Sequence, residues 1–424
     1  MNVQVRPQRD QWTGLLQRPE LDNTKLEASV KKILQDVKEK GDEAIFHYTQ
    51  QFDGIAINRL QASQQEINEA ISTLPDDLKN AIQLAANNIT AFHKKQLSVP
   101  EVIETMPGVL CWRKSIGIEK VGLYIPGGSA PLFSTILMLA IPAKLAGCKE
   151  IILCSPPGKD GKLHPAILYA AQLTGITKVF KTGGVQAIAA MAFGTASIPK
   201  TYKIFGPGNQ YVTCAKQLVQ QYGVAIDMPA GPSEVCVIAD DSCVPAFVAA
   251  DLLSQAEHGP DSQVLLVSPS EEVVKNVQQE LKKQLAVLPR KELAEKALQN
   301  SKAIIAKDMQ EAVELVNTYA AEHLILSCEN DEAIAELIMN AGSIFLGNYS
   351  PESVGDYASG TNHTLPTNGY ARMYSGVSVD SFVKKVTYQK LTKEGLHQIG
   401  KAVELMAEAE GLEAHKNAVT IRMK

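Results

Sequence analysis

KVGLYIPGGSAPLFSTILMLAIPAKLAGCKEIILCS (120–155) decides the fold. Residues 120–125 form a short apolar run, 124–134 a glycine- and proline-rich loop, 130–146 an apolar helix and 150–155 a second apolar run. Both runs are too uniformly apolar for a sheet with one wet face. They read as strands buried on both sides and joined by a crossover helix, the parallel βα unit. Ser129 is placed to cap the helix, with Pro131 near its first turn. Pro142 and Lys144 interrupt the apolar window 130–148, which suits a buried helix and not a membrane span.

Downstream the pattern repeats about every 25 residues: KVFKT (178–182), YKIFG (202–206) and VCVIAD (235–240), with helices over 164–173, 185–193 and 209–221. A second set follows in QVLLVS (263–268), AIIAKD (303–308), LILS (324–327) and GSIFLG (342–347). Upstream, residues 25–96 are helical: Val30, Ile33, Leu34 and Val37 recur at three and four, and Gly41 offers a stop. Residues 1–20 read as an arm and 378–424 as a charged, mostly helical tail. The fold class is therefore α/β: two Rossmann-like domains with open, mainly parallel sheets, a short N-terminal arm and a small helical C-terminal element.

The 424 residues carry a net charge of −5, with 45% apolar and 21% charged residues. No basic footprint points to nucleic acid, and no segment points to a membrane. Seven widely spaced cysteines without a C-x-x-C read as free thiols in a reducing, cytoplasmic compartment. Cys148 and Cys154 lie in apolar runs and read as buried and inert.

Three glycine-rich turns, YIPGGSAPLFS (124–134), KTGGVQAIAAM (181–191) and FGPGNQYV (205–212), each follow a strand and lead into a helix. Any one is explained by turn geometry. Three on one sheet edge suggest a crevice for an anion or nucleotide, although no G-x-G-x-x-G is present. LLSQAEHGPDSQ (252–263) ends a helix at Gly259-Pro260 and sets Gln255 and His258 on one face. With Asp356, His363 and His415 these supply a mixed nitrogen and oxygen set suited to Zn²⁺ or a similar divalent ion. Glu322 and His323, adjacent at a strand entrance, can divide proton-transfer labour. A zinc hydrolase would leave the glycine turns unexplained, and a non-catalytic nucleotide-binding protein would leave the His/Glu set idle.

The stretches GLYIPGGSAPLFSTILMLA, KIFGPGN, IDMPAGPSEV, LLSQAEHGPDSQ, EHL, SPESVGDYASGTNHTLPT and AHKNAVT together resemble the histidinol dehydrogenase family. The resemblance runs from about residue 110 to the C-terminus. It implies oxidation of L-histidinol through L-histidinaldehyde to L-histidine, the last steps of histidine biosynthesis, with two NAD⁺ reduced in turn. It implies one zinc per site on Gln255, His258, Asp356 and His415, with Glu322 and His323 as the acid–base pair. Ser233, His363 and Glu410 match substrate-contacting positions, as do Gln255, His258, His323, Asp356 and His415. Tyr124, Gln186 and Asn209 match NAD-contacting ones. It also implies a homodimer whose C-terminal segment completes the partner's site. The expected domains are an arm (1–20), a discontinuous α/β domain carrying most metal and catalytic residues (21–123 and 234–377), an NAD-binding α/β domain (124–233) and the tail (378–424).

Overall fold

A computed structural model describes residues 1–18, 23–127, 131–229 and 231–424. Ser129 lies outside the described residues. The helix it was expected to cap runs Phe133–Leu145, with Leu132 as N-cap and no capping side chain, so Pro131 precedes the first turn. That helix is apolar around its whole circumference and buried from Ser134 to Ala143, as helices between a sheet and a second helical layer are. No helix among the described residues is long and apolar enough to cross a membrane.

Two parallel sheets dominate. The smaller has the strand order Lys178–Lys181, Glu150–Ser155, Lys120–Tyr124, Lys203–Phe205, Ala225–Ile226, with every pairing parallel. In chain order this is 3-2-1-4-5, with the strand order reversing beside Lys120–Tyr124, where ligands of such sheets bind. Gly122 within that strand has no room for a side chain, because a Cβ would sit 2.5 Å from Met191 Sδ. The larger sheet runs Asn2–Val5, Lys302–Ile305, Gln263–Ser268, Glu234–Ala239, His323–Ser327, Ser343–Leu346, again all parallel. Its three central strands are buried throughout, as their uninterrupted apolar runs require.

The arm begins as a strand: Asn2–Val5 pairs with Lys302–Ile305 and forms one edge of the larger sheet. Helices Asn23–Lys40 and Asp42–Asp53 are separated by Gly41 in a positive-φ conformation. They share a core with helix Gly184–Phe193 of the smaller sheet.

The tail differs from its mostly helical reading. Val383–Leu391 is a nine-residue strand, paired antiparallel along its whole length with Val109–Gly117 in a three-stranded sheet completed by Val102–Met106. Only after it come the helices Lys393–Ala409 and Glu413–Met423.

Candidate active site

The densest group of buried polar side chains lies at the amino edge of the larger sheet. Strands Glu234–Ala239 and His323–Ser327 are neighbours there, with His323 opposite Val235. The Glu234 N–H donates to Glu322 Oε2 at 2.9 Å, and its carbonyl accepts from His323 Nδ1 at 3.3 Å. One peptide segment thus holds both members of the acid–imidazole pair, 3.6 Å apart. The Glu234 side chain is gripped in turn by Arg18 of the arm through two contacts of 2.5 and 2.7 Å. Arg18 also lies over the Tyr319 ring, 4.0 Å from its centroid.

Helix Pro245–Ala256 returns to the same edge. It stops earlier than the sequence suggests: Glu257 is the C-cap and the Glu257 N–H closes on Leu253, so His258 lies just beyond the helix. Gly259 does not adopt the left-handed conformation that ends many helices. Gln255 and His258 are still brought together, because the His258 N–H donates to the Gln255 carbonyl at 3.3 Å. Oriented to suit its neighbours, the buried Gln255 amide donates to both Glu352 oxygens at 3.0 and 3.2 Å and accepts from the Glu234 N–H at 3.3 Å.

Helix Glu352–Tyr357 supplies Asp356, whose Oδ1 faces His323 Nε2 at 3.4 Å without a hydrogen bond. His363 Nδ1 donates to the Asp356 carbonyl at 2.8 Å, leaving Nε2 to accept from Thr135 Oγ1 at 3.0 Å. Thr135 belongs to helix Phe133–Leu145, so this contact ties the cluster to the first turn after strand Lys120–Tyr124.

Burial pulls the His258 and His363 imidazoles down, which favours the neutral, ligating form. His323 is also desolvated, but Glu322, Asp356 and Glu352 outweigh that and push it up to about 10. Burial lifts Glu322 and Glu352 each to about 8. Three carboxyl groups thus surround one imidazole, and a bound dication would lower all of these raised pKa values.

Gln255, His258, Glu322, His323, Asp356 and His363 therefore converge, with Ser233 at the start of the strand that carries Glu234. His415 and Glu410 do not join them: both are exposed, at the C-terminal helix pair. Among the described residues no group of three or more His, Cys, Asp or Glu is arranged to hold a metal. The remaining donor set still fits one. Asp356 Oδ1 and His323 Nε2 are buried without a hydrogen-bond partner, and buried polar atoms are rarely left so. Glu352, Glu234 and Arg18 were not singled out from sequence. Glu352 stands inside the quoted SPESVGDY stretch, whereas Arg18 carries no local signal.

At the carboxyl edge of the smaller sheet a cavity of 1170 Å³ is lined by Tyr124, Gln186 and Asn209 together. Tyr124 is buried, and its hydroxyl accepts from the Gly184 N–H at 3.1 Å. Gln186 is buried with Oε1 unpartnered. Asn209 caps helix Gln210–Val219, accepting from the Tyr211 and Val212 N–H groups at 3.1 Å each. The FGPGN turn itself is structural. A Cβ on Gly206 would lie 2.0 Å from the Tyr124 carbonyl, and the Gly206 N–H is taken by Asp227 of a buried Lys216–Asp227 pair. All seven cysteines are free; Cys154 is fully buried as expected, whereas Cys148 is only half-buried, with burial still pushing its thiol up to about 11.

A sheet with this strand order and a long cavity at its carboxyl edge is the arrangement of α/β oxidoreductases. A family model for histidinol dehydrogenase matches residues 16–423. The histidinol dehydrogenase of Bacteroides thetaiotaomicron is 60% identical over 417 residues, covering 98% of this chain and 97% of that protein. That of Escherichia coli K12 is 51% identical over 417 residues, covering 98% and 95%. The crystal structure of histidinol dehydrogenase from Elizabethkingia anophelis matches with a TM-score of 0.98 at 54% identity, covering 100% of this chain and 98% of that one. The chain belongs to the histidinol dehydrogenase family, whose members are NAD-dependent oxidoreductases.

Proposed function

We propose that the protein oxidises L-histidinol through L-histidinaldehyde to L-histidine, reducing two NAD⁺ in turn, in the cytoplasm. The observation that carries the reading is the buried Glu322–His323 pair, held by one peptide segment and facing Asp356. A dication bound among these carboxyl groups would lower the His323 and Glu322 pKa values, and the neutral His323 takes the alcohol proton as the first hydride leaves the substrate carbon for NAD⁺. Glu322 activates the water that adds to the aldehyde. After passing its first proton to solvent, His323 takes one from the hydrate as the second hydride leaves for the second NAD⁺. Zinc, held by Gln255, His258 and Asp356 with His415 from a second copy, would fix the imidazole and amino nitrogens of the substrate. Ser233, His363 and Glu410 contact the substrate, and Tyr124, Gln186 and Asn209 contact NAD⁺.

The exposed position of Glu410 and His415, away from the cluster, supports a homodimer in which each tail completes the partner's site. Free cysteines throughout support a reducing compartment. Adding L-histidinol and NAD⁺ to the zinc-loaded protein should raise NADH absorbance. A flat trace would remove the assignment, and a hydrolase or a passive nucleotide binder would give one.

A further inference from the structure

One wall of the nucleotide cavity does not come from the sheet. Helix Asp42–Asp53 ends there, and Asp53 lines the cavity beside Phe52 and Gln51. Asp53 is badly placed for stability. It is a carboxylate on the last turn of a helix, where the dipole favours cations, and that turn holds no basic residue. Its Oδ2 is buried without a hydrogen-bond partner, and burial raises its pKa. Asp160, the other carboxylate among the described lining residues, already accepts the Lys162 N–H at 3.1 Å. Lys32 on the same wall is matched by Asp36 at 3.1 Å.

Asp53 and Gln186 both line this cavity, and Asp53 Oδ2 and Gln186 Oε1 are unpartnered acceptors, so this wall calls for a ligand that donates. A ribose presents two vicinal hydroxyl donors, whereas a phosphate presents only acceptors. Asn209 lines both this cavity and a second cleft that reaches Glu234, next to the catalytic pair. A cofactor reaching from this cavity toward the catalytic pair would pass Asn209, which would set its adenosine half at the Asp53 wall. We propose that Asp53 receives the vicinal hydroxyls of the adenosine ribose of NAD⁺ and turns away the 2′-phosphate of NADP⁺. The proposal rests on the reading of this cavity as the NAD⁺ site.

Its test is steady-state kinetics with NAD⁺ or NADP⁺ varied at saturating L-histidinol, on wild type, Asp53→Ala and Asp53→Asn, with calorimetric NAD⁺ binding alongside. Asp53→Ala should weaken NAD⁺ binding and raise its KM about 10- to 100-fold, with kcat within about twofold of wild type. Asp53→Asn, which keeps an acceptor but no charge, should lose less NAD⁺ affinity and gain relative use of NADP⁺. KM for L-histidinol should stay at the wild-type value in both, and Tm should not fall, since each substitution removes a poorly placed carboxylate. Unchanged NAD⁺ affinity and unchanged NAD⁺/NADP⁺ preference in both variants would overturn the proposal, as would a loss falling equally on L-histidinol. A wild-type protein that makes no NADH would instead sink the enzymatic reading, while the binding comparison would still judge Asp53.

Discussion

Asp251 lies on helix Pro245–Ala256 one turn before Gln255, and it is buried without an ion pair among the described residues. Burial raises its carboxyl from 3.8 to about 7. A group whose folded pKa is raised stabilises the fold fully below its unfolded pKa and loses that contribution as pH rises through the folded one. At about 1.4 kcal/mol per pH unit, the gap from 3.8 to about 7 sets an upper bound of about 4 kcal/mol. Asp251→Asn should therefore gain little thermal stability at pH 4, gain progressively to pH 7 and hold a constant advantage above it. An equal Tm shift at pH 4 and pH 8 would contradict this account. At this scale the sequence was most legible where a polar side chain interrupts an apolar run. Gln255, His258, Glu322 and His323 stand out that way, Asp356 and His363 stand instead in the polar stretch SPESVGDYASGTNHTLPT, and all six lie in one cluster. Glu352 and Glu234 did not stand out, because each acts through the neighbour it holds and not through its own chemistry. Gln255 bonds to Glu352, and the backbone of Glu234 bonds to both Glu322 and His323.

The elements divide in the same way between local and distant causes. The strands of both parallel sheets were legible because burial on two faces leaves an uninterrupted apolar run. Val383–Leu391 was not. Its sequence VKKVTYQKL is charged and half-exposed, and its partner Val109–Gly117 lies more than 260 residues upstream. The end of helix Pro245–Ala256 was placed too late because Gly259-Pro260 is a stop signal that the chain does not need once Glu257 has capped. The arm likewise read only as a short segment outside either domain. In the fold it contributes an edge strand and, through Arg18, a buried two-point clamp on Glu234. Breaking such a pair leaves an uncompensated charge, which costs about 3–5 kcal/mol. Arg18→Ala should lower Tm by several degrees and reduce kcat, because Glu234 holds the proposed catalytic pair Glu322–His323. Arg18→Lys should not restore either, since a single ammonium cannot reproduce the fork. Wild-type kcat and Tm in both variants would show that the arm plays no part in the site.

Across the whole molecule, the two parallel sheets divide the work at opposite edges. The smaller one opens its carboxyl edge to the cavity proposed for the nucleotide, where the strand order reverses beside Lys120–Tyr124. The larger one presents its amino edge to the polar cluster, and the Thr135–His363 contact joins the two. A rule that looks for sites only at carboxyl edges would miss the second, although the acid–imidazole pair at a strand entrance signals it. In the proposed dimer His415 comes from the second copy, so a preparation mixing His258→Ala with His415→Ala chains should regain part of the activity that each lacks alone, read as NADH formation after subunit exchange. No recovery would mean that each site is built from a single chain. The central claim is a four-electron oxidation at one site, and it is tested most directly by counting NADH formed when limiting L-histidinol is consumed with NAD⁺ in excess. The account predicts two NADH for every L-histidinol, with L-histidine as product. One NADH and a released aldehyde, or none at all, would contradict it.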